Sequence, residues 1–345
     1  MLAMSAIVVN AQSEATLPKT ELPTLAAVKP PAQPKTNGAF VSETDVEKLS
    51  LPKQPEALRD ALAALGSGTL DERVRKLGQK ALSDLVYVRG GSFLRGDFAA
   101  SLKRDGVSRL TANDDDKAVR KIQLSDFWIS KYKASYAEMD VFADATHRPR
   151  TGEEDGGKHR HALMPAGTQW QYAKDYCTWL GTITGRKFDL PTEAQWEYAA
   201  RSRGQFFVLA TDDGNLDYGR NVPYGAEKRL LAPVESMNGS YPVGMFPATP
   251  LGLFDMDDDG EEWTNDWYAA DWYARSPAKD PRGPGSGTSK VVRGWSIDHG
   301  ELKPGATVLR GHQALTLGSS GPVPAFMKLD QFPSHMGPTV RCVVD

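Results

Sequence analysis

Cysteine is scarce in this 345-residue sequence, which contains only Cys177 and Cys342. Two cysteines are too few for a disulfide framework, and their wide separation excludes a four-ligand zinc site. The sequence leaves two alternatives open: the residues pair once, or they do not pair at all. Since free cysteine is commonly a small buried hydrophobic residue, we expect both to have that structural role.

The sequence also lacks a strong excess of charge of either sign. It has 41 Lys and Arg against 44 Asp and Glu, a formal net charge of −3, and its basic residues are spread along the chain. This distribution gives no electrostatic footprint for nucleic acid, so no nucleic-acid partner is expected. With 40% hydrophobic and 25% charged residues, the composition is that of a globular protein able to bury a core.

No apolar run reaches transmembrane length. Residues 2–9 form a short run followed by Val9-Asn10-Ala11, a small-residue pattern suited to signal-peptidase cleavage. No Lys or Arg precedes this run, so the alternative is an ordinary N-terminal tail. We predict a signal peptide over residues 1–11 and a periplasmic or secreted protein.

Two further segments precede the main domain. Residues 12–41 are rich in proline and have few large apolar residues, which predicts a disordered tether. Residues 42–84 show helical periodicity, with Leu58 and Leu62 in one stretch and a second stretch after a Gly-Ser-Gly break. This pattern predicts a helical hairpin, and its apolar faces should dock on the main domain because two short helices cannot bury them alone.

From residue 85 the pattern becomes β-type. Residues 85–88 and 93–96 predict two strands, and residues 122–129, which alternate apolar and polar side chains, predict one half-buried strand. Beyond residue 201 the sequence is rich in Gly, Pro, Asp and Asn but keeps many aromatic residues. We therefore expect irregular backbone around an aromatic core.

Helical signals recur in two places. Thr168 is suited to cap a helix that Gly185 ends, and Thr192 to Gln195 form a capping box that opens a second helix.

Several motifs, read in order, resemble the formylglycine-generating enzyme, or sulfatase-modifying factor, family. The most specific is the string FDLPTEAQWEYAAR at residues 188–201. The other similar segments are residues 86–96, 127–132, 170–179, 252–256, 262–267, 291–296 and 340–342. The resemblance implies a loop-rich α+β domain over residues 85–345, related to the C-type lectin fold.

The sequence departs from this family at the residues that carry its chemistry. Formylglycine generation implies a cysteine pair shortly after the arginine-glycine-glycine strand, because those thiolates bind copper(I). The corresponding residues 293–317 contain no cysteine. We therefore expect no copper and no formylglycine-generating oxidase activity.

Iron is not expected either. The related sulfoxide synthases hold iron with histidines that come largely from an added helical domain, and the N-terminal helices here contain no histidine. Only His159 and His161 of the six histidines are close in sequence, and solvated loop histidines are commoner than ligands.

Calcium is the cofactor that the resemblance makes plausible. Asp257, Asp258, Asp259 and Glu262 could supply hard oxygen ligands near the glutamate-tryptophan motif. The alternative is an acidic turn that faces water. Asn221 stands where a ligand of the family's second calcium site would be, without its acidic partner, and we expect the acidic residues 113–116 to be solvated.

Four tryptophans stand where family members line a substrate groove: Trp263, Trp267, Trp272 and Trp295. We expect packing to be their main role, and assign Trp196, Trp263 and Trp267 as structural residues.

Two classes of function follow. The first is an exported, non-catalytic protein that binds a protein partner through its loops. The chain resembles members encoded beside phospholipase effectors of type VI secretion, which implies a periplasmic immunity protein and a lipase as partner. The second is a cysteine-independent periplasmic oxidoreductase, similar to the pyoverdine-maturation branch, or a non-haem iron enzyme. Its candidate acid-base residues are Glu261, Glu262, Asp266 and His299.

Overall fold

The computed structural model describes residues 17, 19, 52–103, 108–154, 156–223, 230–234, 240–294, 307–314 and 337–345. The predicted signal peptide lies outside these residues, as does most of the predicted tether. Leu17 and Lys19 of the tether are described, and both contact the folded body. Leu17 packs against the main hydrophobic core, and the Lys19 Nζ lies 3.5 Å from the Asp126 carboxylate. Among the described residues, no helix is long and apolar enough to cross a membrane.

The described part of the chain contains both helices and small sheets. The helices are Glu56–Ala64 (α1), Leu70–Ser83 (α2), Tyr136–Thr146 (α3), Trp170–Thr184 (α4), Glu193–Ala200 (α5) and Trp272–Arg275 (α6). The strands are Leu85–Val88 (β1), Gly91–Arg95 (β2), Arg120–Leu124 (β3), Phe127–Ser130 (β4), Phe188–Asp189 (β5), Glu262–Trp267 (β6), Ser289–Arg293 (β7), Gly311–Ala314 (β8) and Val343–Val344 (β9). They form antiparallel sheets with the orders β1-β4-β9-β5, β2-β3 and β6-β7-β8. The predicted α+β class is confirmed.

Helices α1 and α2 form the predicted helical hairpin, and residues 42–51 of its predicted range lie outside the described residues. A capping box opens α2: Thr69 accepts from the Glu72 N–H, and Glu72 accepts from the Thr69 N–H. Leu58, Leu62 and Leu77 are buried in one core with residues of α3 and α4. This docking stabilises two helices that are too short to be stable alone.

Helix α4 does not begin as predicted. Gln169 is its N-cap residue, so the prediction that Thr168 caps it is wrong. The Thr168 carbonyl instead accepts a hydrogen bond from the Trp263 indole at 2.8 Å. The end of the helix is predicted correctly, since Gly185 is the C-cap residue in the left-handed conformation (φ +68°) that glycine tolerates best.

Helix α5 begins at the predicted capping box. The Thr192 hydroxyl accepts from the Gln195 N–H at 3.1 Å, and the Gln195 side chain accepts from the Thr192 N–H at 2.9 Å. Every residue of α5 is buried, and the helix contacts β2, β6 and β7. Its two carboxylates, Glu193 and Glu197, are therefore inside the protein.

The segment predicted as one strand over residues 122–129 is two strands in different sheets. Strand β3 pairs with β2, whereas β4 pairs with β1 and β9. The chain leaves the ladder at two residues with other partners. The Ser125 N–H donates to Asp280 at 2.7 Å, and the Asp126 carboxylate accepts from the Gly90 N–H at 3.0 Å. The alternation shifts by one residue at this break, where Ser125 and Asp126 are both exposed, but the apolar side chains of both strands enter one core.

Cys177 and Cys342 form a disulfide, which is one of the two alternatives that the sequence left open. Both side chains are buried, with 0% and 2% exposure. The bond joins α4 to the residue before β9 across a separation of 165 residues. A crosslink that closes so long a loop restricts the unfolded chain and typically contributes about 2–4 kcal/mol to stability.

Candidate functional site

Glu193 and Glu197 are buried together with three arginines, Arg201, Arg293 and Arg310. We call these five residues the arginine cluster. Glu193 accepts from Arg310 Nε at 2.7 Å and from Arg293 Nη1 at 3.0 Å. Glu197 accepts from Arg201 Nη1 at 2.7 Å and from Arg293 Nη2 at 3.1 Å. Although burial alone would raise it, Arg310 and Arg293 hold the pKa of Glu193 down to about 2. Glu193 is therefore a paired anion at neutral pH.

Asp266, one of the predicted acid-base residues, lies beside the arginine cluster. Its carboxylate accepts from the Glu193 N–H at 3.1 Å. Burial, together with the negative charge of Glu193, raises the pKa of Asp266 to about 7. A carboxyl group with such a pKa can both give and take a proton at neutral pH.

Glu262, a candidate both for acid-base chemistry and for calcium, has a different environment. It is fully buried, and its two oxygens accept from Arg341 Nη2 at 2.8 Å and Arg341 Nε at 2.9 Å. The Trp196 indole donates to the same carboxylate at 2.9 Å. Because these donors already bind the carboxylate, Glu262 is placed to hold β6 against α5 and the C-terminal segment rather than to move a proton.

The other two described acid-base candidates, Glu261 and Glu262, have hydrogen-bond partners other than Asp266. Glu261 is half-buried, and its main-chain carbonyl accepts from the Thr339 N–H at 2.6 Å and from the Thr339 hydroxyl at 2.7 Å. His299 lies outside the described residues. Glu262 and Asp266 bind different parts of α5, through Trp196 and Glu193.

Three of the four predicted calcium ligands, Asp257, Asp258 and Asp259, are buried in residues 255–260, which we call the acidic turn. Burial raises the pKa of Asp255 to about 6 and the pKa of Asp257 to about 7. Burial also raises the pKa of Asp259 well above its usual value. Asp257 accepts from the Ala210 N–H, and Asp259 accepts from the Tyr241 N–H at 2.9 Å. Asp255, Asp257 and Asp259 each have one carboxylate oxygen without a hydrogen-bond partner.

The four predicted residues, Asp257, Asp258, Asp259 and Glu262, do not fit one calcium site. Glu262 is bound by Arg341, and the ammonium of Lys133 lies against the main-chain oxygens of the turn, 2.7 Å from the Asp258 carbonyl. The alternative of an acidic turn that faces water is wrong, since Asp257, Asp258 and Asp259 are buried.

The other polar segments considered from the sequence form local networks. Asp115 and Asp116 are largely buried, so the expectation that residues 113–116 are solvated is wrong for these two. The Asp115 carboxylate accepts from the Tyr268 hydroxyl at 2.9 Å, and burial raises the pKa of Asp116 to about 6. Asn221 organises its own loop, where its amide oxygen accepts from the Asp217 N–H at 2.9 Å.

The two neighbouring histidines show no ligand geometry. His161 is half-buried, burial lowers its pKa, and its Nδ1 accepts from the Leu163 N–H at 3.3 Å. In the part of the chain that the structure describes, no three side chains of His, Cys, Asp or Glu are placed together to hold a metal ion. His159 and His161 therefore belong to no such group.

The tryptophans occupy three kinds of place. Trp196 and Trp263 are fully buried. Trp267 stacks on Trp170, and the Lys290 Nζ lies between the rings, 3.9 Å and 4.0 Å from their centroids. Trp272 is half-buried and donates to the Arg282 carbonyl at 2.9 Å. Trp295 lies outside the described residues.

The family assignment rests on a match to most of the chain. The family described as "Sulfatase-modifying factor enzyme 1-like domain" matches residues 71–319. The chain belongs to this family.

Relatives within the family differ in length and in name. The chain is 27% identical to a formylglycine-generating enzyme of Thermomonospora curvata over 280 residues, which cover 65% of this chain and 85% of that protein. It is 28% identical to serine/threonine-protein kinase pkn1 of Chlamydia caviae over 237 residues, 65% of this chain. The match spans only 34% of the kinase, so it concerns one part of that protein.

Solved structures share the fold. PvdO from Pseudomonas aeruginosa aligns with a TM-score of 0.52 at 21% identity over 76% of this chain and 94% of PvdO. Treponema denticola variable protein 1 aligns with a TM-score of 0.52 at 15% identity over 75% of this chain and 94% of that protein. At these identities the likeness establishes the family fold and no more.

Sequence reasoning missed the cations that bind the predicted acidic residues. Lys133 and Arg341 are distant in sequence from the acidic turn and from Glu262, and neither belongs to a charge pattern that marks a site. The position of Arg341 in the final family segment was visible, but its partner follows only from the tertiary fold.

Proposed function

We propose that the chain is an exported, non-catalytic member of the family that binds a protein partner. The observation that carries this proposal is the disulfide: both cysteines of the sequence are joined to each other and buried. Thiolate is the species that binds copper(I) and attacks a substrate, and a buried disulfide supplies none. The thiol chemistry implied by the enzyme branch of the family therefore has no residues to perform it.

The same bond supports export. Disulfides form and persist in oxidising compartments such as the bacterial periplasm and the extracellular space, and are rare in the reducing cytosol. This agrees with the predicted signal peptide over residues 1–11, and a periplasmic or secreted location is part of the proposal.

Protein binding is supported by one relative and by one surface loop. The chain is 28% identical to chaperone protein LppX of Paenibacillus barcinonensis over 220 residues, 54% of this chain and 72% of that protein, and a chaperone acts by binding another polypeptide. In the surface loop, Arg220 pairs with Asp212 at 2.5 Å, Asp213 at 2.9 Å and Asp217 at 2.7 Å. Such crosslinking lowers the ordering cost that a loop would otherwise incur on binding.

The finer form of the proposal names the partner as a phospholipase effector of type VI secretion, with the chain as its periplasmic immunity protein. This form rests on the family resemblance described for the sequence. Occlusion of the lipase by a rigid loop-bearing scaffold would need no catalytic residue in this chain.

Co-purification with a lipase encoded beside this gene tests the proposal. We expect a stoichiometric complex that suppresses lipase activity, and no oxygen consumption with or without added copper(I) or iron(II). Charge reversal at Asp212 and Asp213 should weaken the complex, whereas reversal at the exposed Asp271, outside this loop, should not. Metal-dependent oxygen consumption with a peptide substrate, or a lipase that stays free and active, would overturn it.

One observation favours the alternative, a cysteine-independent oxidoreductase. Asp266 is a buried carboxyl group whose pKa of about 7 suits a proton acceptor. If the chain oxidises a peptide, Asp266→Asn should abolish the neutral limb of the pH–rate profile. In the binding proposal the same variant forms the lipase complex as the wild type does.

A further inference from the structure

The ammonium of Lys133 lies in a cage of main-chain oxygens at the acidic turn. Its Nζ donates to three successive carbonyls, those of Asp258 at 2.7 Å, Asp259 at 3.0 Å and Gly260 at 2.5 Å. Lys133 is 1% exposed. Since an ammonium group has three N–H donors, these carbonyls use all of them.

The backbone of the turn is shaped around this group. Asp259 has φ +63° and Gly260 has φ +93°, and the left-handed region is disfavoured for a residue with a Cβ such as Asp259. Consecutive carbonyls that converge on one point repel each other unless a positive charge lies between them. A strained conformation of this kind persists only when its surroundings fix it, and the Lys133 ammonium is the group in contact with all three oxygens.

Carboxylates surround the same point. Glu262 Oε1 lies 3.9 Å from the Lys133 Nζ. Burial lowers the pKa of Lys133, whereas the negative charges of Glu262, Asp259 and Asp255 act against that shift and favour the ammonium form. The fully buried Asp259 keeps one oxygen without a hydrogen-bond partner. The nearby Arg341 binds Glu262 with two of its nitrogens. Lys133, in contrast, contacts the carbonyl oxygens of the turn itself.

The donor set is that of a cation site. Main-chain carbonyls and carboxylates are the hard oxygen ligands that calcium takes, in groups of six to eight. Here the three carbonyls already contact an ammonium, and a metal ion could reach them only by displacing it. The cage thus has the ligand chemistry of a metal site and an occupant supplied by the chain.

We infer that Lys133 is a built-in cation that replaces a bound metal ion at the acidic turn. The native turn is therefore independent of divalent ions. Shortening this side chain opens the cage and converts it into a site for a calcium ion or for a small alkylammonium ion.

The test uses the oxidised full-length chain and its Lys133→Ala variant. Thermal unfolding is followed in chelator, in calcium chloride and in ethylammonium chloride, with sodium chloride at matched ionic strength. The wild type should unfold at one temperature in all four solutions. The variant should unfold at a lower temperature in chelator and regain about 5 °C or more with saturating calcium or ethylammonium, since a ligand that binds only the folded state stabilises it.

A matched control comes from a second buried lysine. The Lys290 Nζ donates to one carbonyl, that of Asn265 at 2.9 Å, and lies between two indole rings. Lys290→Ala should lose stability without any recovery specific to calcium. This control separates the refilling of an oxygen cage from a general effect of salt on a destabilised protein.

A variant that keeps part of the contact covers the case in which Lys133→Ala does not fold. Lys133→Gln retains an amide donor without the charge, and calorimetric titration with calcium should show one site in this variant and none in the wild type. Saturable calcium binding at the turn of the wild type, or a Lys133 variant whose unfolding and titration do not respond to calcium or ethylammonium, overturns the inference.

Discussion

The arginine cluster and the acidic turn are both buried and densely charged, but their balance of charge is opposite. In the cluster, Glu193 and Glu197 are met by several guanidinium groups, and the pKa of Glu193 falls to about 2. In the turn, Asp255 and Asp257 have too few partners, and burial raises their pKa values to about 6 and about 7.

The difference shows that burial alone does not decide what a carboxylate does. Desolvation favours the protonated form of every buried acid, and nearby cations and hydrogen-bond donors act against that preference. The cluster is a structural network of paired charges, in which Glu193 stays ionised at neutral pH. The turn is under-neutralised, and part of its charge is free to change with its environment.

The largest effect should come from breaking the cluster. Glu197→Gln removes the anion that accepts from Arg201 and Arg293, and leaves buried guanidinium groups with less compensation. We expect a loss of about 3–5 kcal/mol in the free energy of unfolding, measured by urea denaturation. Glu153→Gln, which alters an exposed ion pair with Arg160, is the control. A loss below about 1 kcal/mol in Glu197→Gln would mean that the cluster is not held by its charges.

The next effect concerns the disulfide, which anchors the segment that carries Arg341 to α4. The double variant Cys177→Ala, Cys342→Ala should lose about 2–4 kcal/mol, because the crosslink restricts the unfolded chain. Thermal unfolding with and without dithiothreitol measures this loss. Reductant should lower the midpoint of the wild type and leave the double variant unchanged, and equal midpoints for both proteins without reductant would refute it.

A smaller effect, of opposite sign, is expected in the turn. The folded pKa of Asp257 is raised from 3.8 to about 7, so the folded chain binds this proton more tightly than the unfolded chain. Stability contributed by the proton is present below pH 4 and is lost as the pH rises to about 7. Asp257→Asn removes that loss, and the variant should gain roughly 1–3 kcal/mol on the wild type at pH 8.

The measurement for Asp257→Asn is the free energy of unfolding at several pH values between 4 and 8. Its gain over the wild type should shrink toward zero at pH 4. Asp114→Asn, at an exposed acid paired with Lys117, should show no gain that grows with pH. A variant that is less stable than the wild type at pH 8 would show that the ionised Asp257 is stabilised by a group other than those described.

The smallest effect should come from the surface ion pairs that Arg220 forms. Arg220 contacts three aspartates but is 42% exposed. Arg220→Ala should therefore change the free energy of unfolding by less than about 1 kcal/mol, since solvent screens such pairs. Urea denaturation at low and high salt checks this. If Arg220→Ala lost as much stability as Glu197→Gln, burial would not explain why the ion pairs of the arginine cluster contribute more than those of this exposed group.

Features with local causes could be predicted from the sequence. The capping box at Thr192, the glycine stop at Gly185 and the hairpin periodicity each depend on residues within a few positions of one another, and the family motifs gave the fold. The single strand predicted over residues 122–129 was wrong because alternation reports burial and not the partner strand.

The candidate site was predicted less well, because its contacts are long-range. The sequence identified the acidic turn and Asp266 but not Lys133, which lies more than a hundred residues before the carbonyls it binds. The pairing of Cys177 with Cys342 was left open for the same reason. Nothing in the local pattern shows which of two distant groups the fold will bring together.

Strand β9 lies between β4 and β5, although it follows every other described element in the chain. Strands β4 and β5 therefore gain the hydrogen-bonding partner that joins them only after residues 343 and 344 have been synthesised and have reached the folded body. Pairing of β9 brings Cys342, the residue before this strand, to Cys177 in α4, so formation of the disulfide reports that β9 is in place.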